Sequence, residues 1–139
     1  MSSLIKTYSE LIKIPKYLDR FEYLKLSGVT GTDDPEVLRW LHQIFYHSKE
    51  WHKVRNEVIV RDSGYDLAHP DYMIGGKVVV HHINPVKMKD IVDKRLDVLL
   101  NPENLVCCSF MTHQAIHYGT DDLLMKDPVS RSPGDTKLW

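Results

Sequence analysis

The chain has 139 residues, 42% of them apolar, which is enough to bury one core at the common size of a single domain. Its 18 Lys and Arg against 19 Asp and Glu give a formal charge of -1, so composition lacks the basic excess of a general nucleic-acid binder and any polyanion contact must come from local clustering. The two cysteines, Cys107 and Cys108, are adjacent and badly placed to bridge, and no run nears the roughly 20 apolar residues of a membrane helix; a soluble, cytoplasmic protein is expected.

In chain order, residues 7–26 carry Leu11, Ile12, Ile14, Leu18, Phe21, Tyr23, Leu24 and Leu26 at spacings that predict helix, with Pro15 either breaking it or opening a second helix. Residues 27–32 read as a linker by their glycine and hydroxyl content. Asp34 and Pro35 then supply an N-cap and a proline at the first helical position, predicting a helix to about Tyr46. Ser48 can cap a further helix that ends near Asp62, with Trp51, Val54, Val58 and Ile59 at helical spacing. Its charged face carries Lys53, Arg55 and Arg61 among His52, Asn56 and Glu57; such a face is usually only solvated, and DNA contact is the minority reading of it.

Residues 66–76 are turn-rich, and residues 77–80 read as a buried strand that delivers His81 and His82 at its end. After Pro85 come a short helix over 90–100, a turn at Asn101-Pro102, a second strand over 105–109 and a helix over 112–118. The order of strand, long loop, strand and helix, preceded by helices, makes the fold class α+β. From Thr120 onward the sequence reads as a tail laid over the surface, pinned by Leu138 and Trp139.

Four of the eight histidines fall between residues 78 and 118. His113 and His117, four positions apart, share one helix face and can reach one ion, while His81 and His82 adjoin at a strand end. Singly, a histidine beside an apolar strand is more often a packing residue. Together, four in this order allow three ligands for a zinc-type ion and one imidazole to serve as base.

These residues resemble the HNH nuclease family, the ββα-metal (His-Me finger) fold of colicin nuclease domains, many homing nucleases and phage proteins. That family's pattern is a ligand followed directly by a base His, a loop Asn before the second strand, a His nine positions later and often another four beyond; here it falls on His81, His82, Asn104, His113 and His117. The segment 51–64 is similar to the helix that precedes the motif in phage and prophage members, and residues 20–26 and 133–139 resemble a small-phage group.

The resemblance implies one nuclease domain over 1–139, with helices across residues 1–62, a ββα-metal core over 77–118 and a tail over 120–139. It implies that His81, His113 and His117 hold one divalent ion (Zn, Ni, Mn or Mg), that His82 is the general base, and that Asn104 ties the loop and so aims the base, with Asn101 as the competitor for that role. DNA is then the substrate, cleaved to 5′-phosphate and 3′-hydroxyl ends, phage packaging proteins are candidate partners, and a bacterial host cytoplasm is the place of action. Activity is expected to fail in acid near the reference histidine value of ~6.5 unless burial or the ion shifts it. One departure stands out: many members carry two Cys-x-x-Cys pairs around a structural zinc, whereas Asp66 and His69 stand near the first pair's place and Ser109 and Thr112 at the second's. No structural zinc is expected, and the N-terminal helices must supply the packing it would have given.

Blander readings exist for each residue: a packing role for His82, a helix-end cap for His117, a plain turn residue for Asn104. A second functional class is a metal-stabilised DNA-binding or phage-packaging module without turnover, and a solvent-reachable, uncoordinated His82 would speak against it. A metalloprotease is disfavoured because Gln114 stands where a His-Glu-x-x-His helix needs its base.

Overall fold

The computed structural model describes residues 4–26 and 34–124; the expected linker over 27–32 and the tail beyond residue 124, with Leu138 and Trp139, lie outside the described residues. Thr7 caps a single turn, α1 (Tyr8–Leu11), by accepting from the Glu10 amide, and α2 (Tyr17–Leu24) follows. Pro15 sits in the connection between them, so it breaks the helical run rather than opening α2. Asp34 caps α3 (Pro35–Gln43), which stops short of the expected Tyr46 because Ile44 leaves helical geometry before a single turn over Phe45–His47. Ser48 accepts from the Trp51 amide at 3.2 Å and starts α4 (Lys49–Asp62), which Ser63 ends in the left-handed region.

Two antiparallel strands, β1 (Val78–His82) and β2 (Leu105–Ser109), pair with His81 opposite Val106 and His82 opposite Leu105. The strand thus runs through both histidines instead of ending before them. The single helix expected over 90–100 is two, α5 (Met88–Val92) and α6 (Leu96–Leu99), parted where Lys94 takes a left-handed φ of 52°. Ser109 ends β2 and caps α7 (Phe110–Tyr118), and Gly119 closes that helix at φ 71°, a conformation glycine adopts without a Cβ clash. Among the described residues no helix is long and apolar enough to cross a membrane.

Alternation along the strands divides the interior in two. On one face Val80, Leu105 and Cys107 pack with Trp51, Val54 and Val58 of α4 and Val37 and Leu41 of α3. On the other, Val106 and Cys108 pack with Ala115 and Ile116 of α7, Phe21 and Leu24 of α2, and Leu11 of α1. Among the described residues no third strand joins the outward edge of β2; side chains complete it. Asp62 accepts from the Cys107 amide at 2.9 Å, Asp66 from the Ser109 amide at 3.2 Å, and Arg61 donates to the Leu105 carbonyl at 2.6 Å. Arg61 is therefore half-buried and committed to internal partners: it also pairs with Asp62, donates to the Pro102 carbonyl and lies 3.4 Å over the Tyr8 ring.

Asp66, Ser109 and Thr112 do come together, in a hydrogen-bonded knot. Asp66 Oδ2 accepts from the Tyr17 hydroxyl at 2.9 Å and the Thr112 hydroxyl at 2.5 Å, and the Ser109 hydroxyl reaches Thr112 Oγ1 at 2.9 Å. His69 stays outside the knot, its Nε2–H donating to the Pro15 carbonyl while Nδ1 accepts from the Asp71 amide. Burial pushes the Asp66 carboxyl up from its ordinary range while the hydroxyls pull it back. Asp66→Ala strands the Ser109 amide and two hydroxyls in the interior, and is expected to lower unfolding stability by about 2–3 kcal/mol in urea titration. An unchanged midpoint would show that the knot holds nothing together.

Candidate metal centre

The site is built where β1 meets α7. His81 projects from β1 onto the α7 face, and His113 and His117, one turn apart, project from α7 back towards it. The three rings meet edge to face, with centroids 5.1 Å (His81–His113), 5.3 Å (His81–His117) and 4.4 Å (His113–His117) apart. One nitrogen of each lies within 4.8 Å of the others, and this is the one such cluster of potential ligands among the described residues. Tetrahedral ligands about 2.0–2.1 Å from a zinc-type ion stand roughly 3.3 Å from each other, and the His113 and His117 Nε2 atoms are 2.9 Å apart. Small ring rotations bring three donors to one ion, so His81, His113 and His117 can hold a metal.

His81 shows what the cluster lacks without one. It is 2% exposed, and its two ring nitrogens are buried without a hydrogen-bond partner. An orphaned buried nitrogen costs about 1–3 kcal/mol, and a cation is the partner that the surrounding imidazoles permit. Burial, with His113, His117 and His82 nearby, holds the His81 ring well below its ordinary pKa, and burial does the same to His113, down to about 4. Each ring is thereby kept in the neutral form that ligates.

His82 lies outside this set. Neighbours on a strand point to opposite faces, so it enters the α4 side of the sheet, stacked on Trp51 at 5.4 Å and 21° and beside Phe45 at 6.1 Å. Its Nε2–H donates to the Leu99 carbonyl at 3.1 Å, which fixes the tautomer and makes Nδ1 the basic atom. The expectation of a solvent-reachable imidazole is corrected here: the residue is 6% exposed, and burial pushes its pKa down to about 4 despite the Leu99 bond. Acid loss of a His82-dependent activity accordingly moves below the reference value.

Comparison with protein families, with curated proteins and with solved structures gives no match.

Asn104, wholly buried, binds the two ends of the β1–β2 crossover. Its Oδ1 accepts from the Asn84 amide and from Asn84 Nδ2, both at 2.7 Å, its Nδ2 donates to the Val98 carbonyl at 2.7 Å, and its carbonyl accepts from the Ile83 amide at 2.7 Å. Val98 adjoins Leu99, whose carbonyl holds His82, so the loop bond and the base candidate are anchored on neighbouring peptides. Asn101 only caps the following turn through the Glu103 amide. Sequence reasoning places Trp51 at a helical core position and passes over Leu99 and Asn84; a backbone carbonyl leaves no mark in a sequence, and an isolated asparagine before Pro85 reads as turn chemistry.

Two outcomes follow from this geometry. His113→Ala and His117→Ala are each expected to weaken divalent-metal affinity by at least about 10–100-fold, measured by calorimetry; wild-type affinity in either would place the third ligand elsewhere. In metal-free protein, between a pH of about 6.5 and one of about 4 the unfolded chain takes up protons at positions 82 and 113 that the folded chain refuses. Stability is therefore full above about 6.5 and falls as the pH drops towards 4, at about 3 kcal/mol per ring. Thermal melts in chelator at pH about 7.5 and about 4.5 should show Tm falling; a constant Tm would mean the rings are not held neutral.

Proposed function

We propose that this chain is a metal-dependent endonuclease of the HNH type with a ββα-metal core formed by β1, β2 and α7. The observation that carries this reading is the convergence of His81, His113 and His117 from a strand and the following helix, with His81's nitrogens buried and unpartnered. The antiparallel pair followed directly by α7, and the asparagine tie across the crossover, add support.

A divalent ion held by those three histidines supplies a Lewis acid for the scissile phosphate and for the leaving oxygen. An all-imidazole set suits Ni, Co and Zn better than Mg, which prefers oxygen ligands. On this reading Nδ1 of His82 would accept the proton of the water that attacks phosphorus, Nε2–H staying on the Leu99 carbonyl, and the ring would have to be reached from the ion's side of the strand, opposite the face on which it packs. The bond from phosphorus to the 3′ oxygen breaks, leaving 5′-phosphate and 3′-hydroxyl ends. Asn104 keeps the crossover, and with it Leu99, in place. DNA as substrate, phage packaging proteins as partners and a host cytoplasm belong to the same proposal.

The enclosure of His82 favours a second reading, a metal-stabilised DNA-binding or packaging module without turnover, in which that ring only packs on Trp51. The test is cleavage of supercoiled plasmid with Mn, Mg, Ni and Zn in parallel, beside metal calorimetry. On the nuclease reading His82→Ala lowers cleavage by about 10²–10⁴-fold with metal affinity nearly unchanged. Metal and DNA binding by the wild type with no cleavage in any metal would establish the second reading instead.

A further inference from the structure

The crossover between the strands leaves β1 at Ile83 and Asn84 and re-enters β2 through the turn Pro102–Asn104. Both of its ends are bonded to one short stretch from the other end of the sequence. At the entry, Asn84 and Lys6 make a reciprocal pair: the Lys6 amide donates to Asn84 Oδ1 at 3.2 Å, and Asn84 Nδ2 donates to the Lys6 carbonyl at 2.8 Å. At the exit, Glu103 accepts from the Ser9 amide at 3.0 Å and the Ser9 hydroxyl at 2.9 Å. The stretch is itself fixed from outside the crossover, the Thr7 amide donating to the Tyr23 hydroxyl at 3.0 Å and Arg61 lying over Tyr8. Residues 6–9 thus bracket a 22-residue excursion, 83–104, at both ends.

The Asn84 amide has no slack. Its two Nδ2 protons go to the Lys6 carbonyl and to Asn104 Oδ1, and its Oδ1 takes the Lys6 amide. Turning it over sets a carbonyl against two carbonyls and an NH₂ against an N–H, so one orientation is selected. A side-chain amide here does for Lys6 what a neighbouring strand does for one residue. Asn84 lies two residues beyond His82, with Ile83 between them buried and bonded through its amide to the Asn104 carbonyl. A lost bond at Asn84 therefore reaches the base candidate through one intervening residue and reaches Leu99 through Asn104.

We infer that Asn84 is a positioning residue for the proposed hydrolysis, and that the N-terminal stretch around Lys6 belongs functionally to the site, acting through Asn84 to hold the His82 end of β1. The inference rests on the nuclease reading. Asn84 touches neither substrate nor metal; it limits displacement of the base, and misplacement of a reacting group by about 1 Å costs on the order of 10²-fold in rate.

Two substitutions at Lys6 isolate the bracket. Lys6→Pro removes the backbone N–H that Asn84 Oδ1 accepts, whereas Lys6→Ala keeps that N–H and removes only the side chain, whose ammonium lies 5.6 Å from the Tyr23 ring. Plasmid cleavage, metal calorimetry and thermal melts are run on the full-length wild type, Lys6→Ala, Lys6→Pro, Asn84→Ala and Lys6→Pro/Asn84→Ala, well below every Tm. The expected result is a kcat lowered about 10–100-fold in Lys6→Pro and Asn84→Ala, with KM and metal affinity within about 3-fold of wild type, Lys6→Ala near wild type, and a double variant no worse than Asn84→Ala alone. If Asn84→Ala does not fold, the Lys6→Pro against Lys6→Ala comparison decides by itself. A wild-type kcat in Lys6→Pro, or parallel losses in kcat and metal affinity, overturns the inference and leaves the nuclease reading standing. A wild type that cleaves in no metal overturns both.

Discussion

The outer edge of β2 is the constraint on which the other elements depend. A two-stranded sheet leaves one strand with outward amides and carbonyls that water or another chain would have to satisfy. Here Asp62, Asp66 and Arg61, from the end of α4 and the turn after it, take those groups. The same bonds fix α4 against one face of the sheet. Because Asp66 also gathers Tyr17, Ser109 and Thr112, they fix α2 and the start of α7 against the other. Where α7 starts decides where His113 and His117 point, so the geometry of the histidine cluster is inherited from the edge-capping arrangement that grips Ser109 and Thr112.

The site itself carries a tension between burial and chemistry. A neutral imidazole with two unpartnered nitrogens is a poor interior residue, and three imidazoles around one point repel protons from each other. A cation at the centre would take one of the two His81 nitrogens and turn the neutrality of the rings into an advantage. The apolar surroundings of His81 and of His82 keep both rings unprotonated, yet only the first sits among other imidazoles. Two adjacent residues in one strand thus acquire different chemistry solely by facing different sides of the sheet.

Much of this is legible in the sequence where local physics dominates. Ser48 as a cap, the β2 boundaries, and the shared face of His113 and His117 follow from capping chemistry and from periods of 2 and 3.6. Asn104 rather than Asn101 as the loop tie is legible from its place before the strand. What stays hidden depends on contacts between segments far apart. Arg61 lies on a face of mixed charge that reads as solvated, but Tyr8, Pro102 and Leu105 close over it. His82 reads as accessible at a strand end until Trp51 and Phe45 are seen to cover it. The break at Lys94 needs a left-handed residue that lysine's type does not announce.

The Ser9–Glu103 and Lys6–Asn84 pairs join residues 94 and 78 positions apart. On a growing chain the stretch around Lys6 is made long before its partners Asn84 and Glu103, and contacts of such separation form late because the loop they close is long. Until residue 103 has been made, α1 can meet α2 and Tyr23 but lacks its tie to the crossover, and the cluster around Leu11 stays incomplete without Val106, Ala115 and Ile116. The elements that finish the crossover are therefore joined from stretches made well apart in synthesis. The order in which the chain is made is thus not the order in which this region of it can settle.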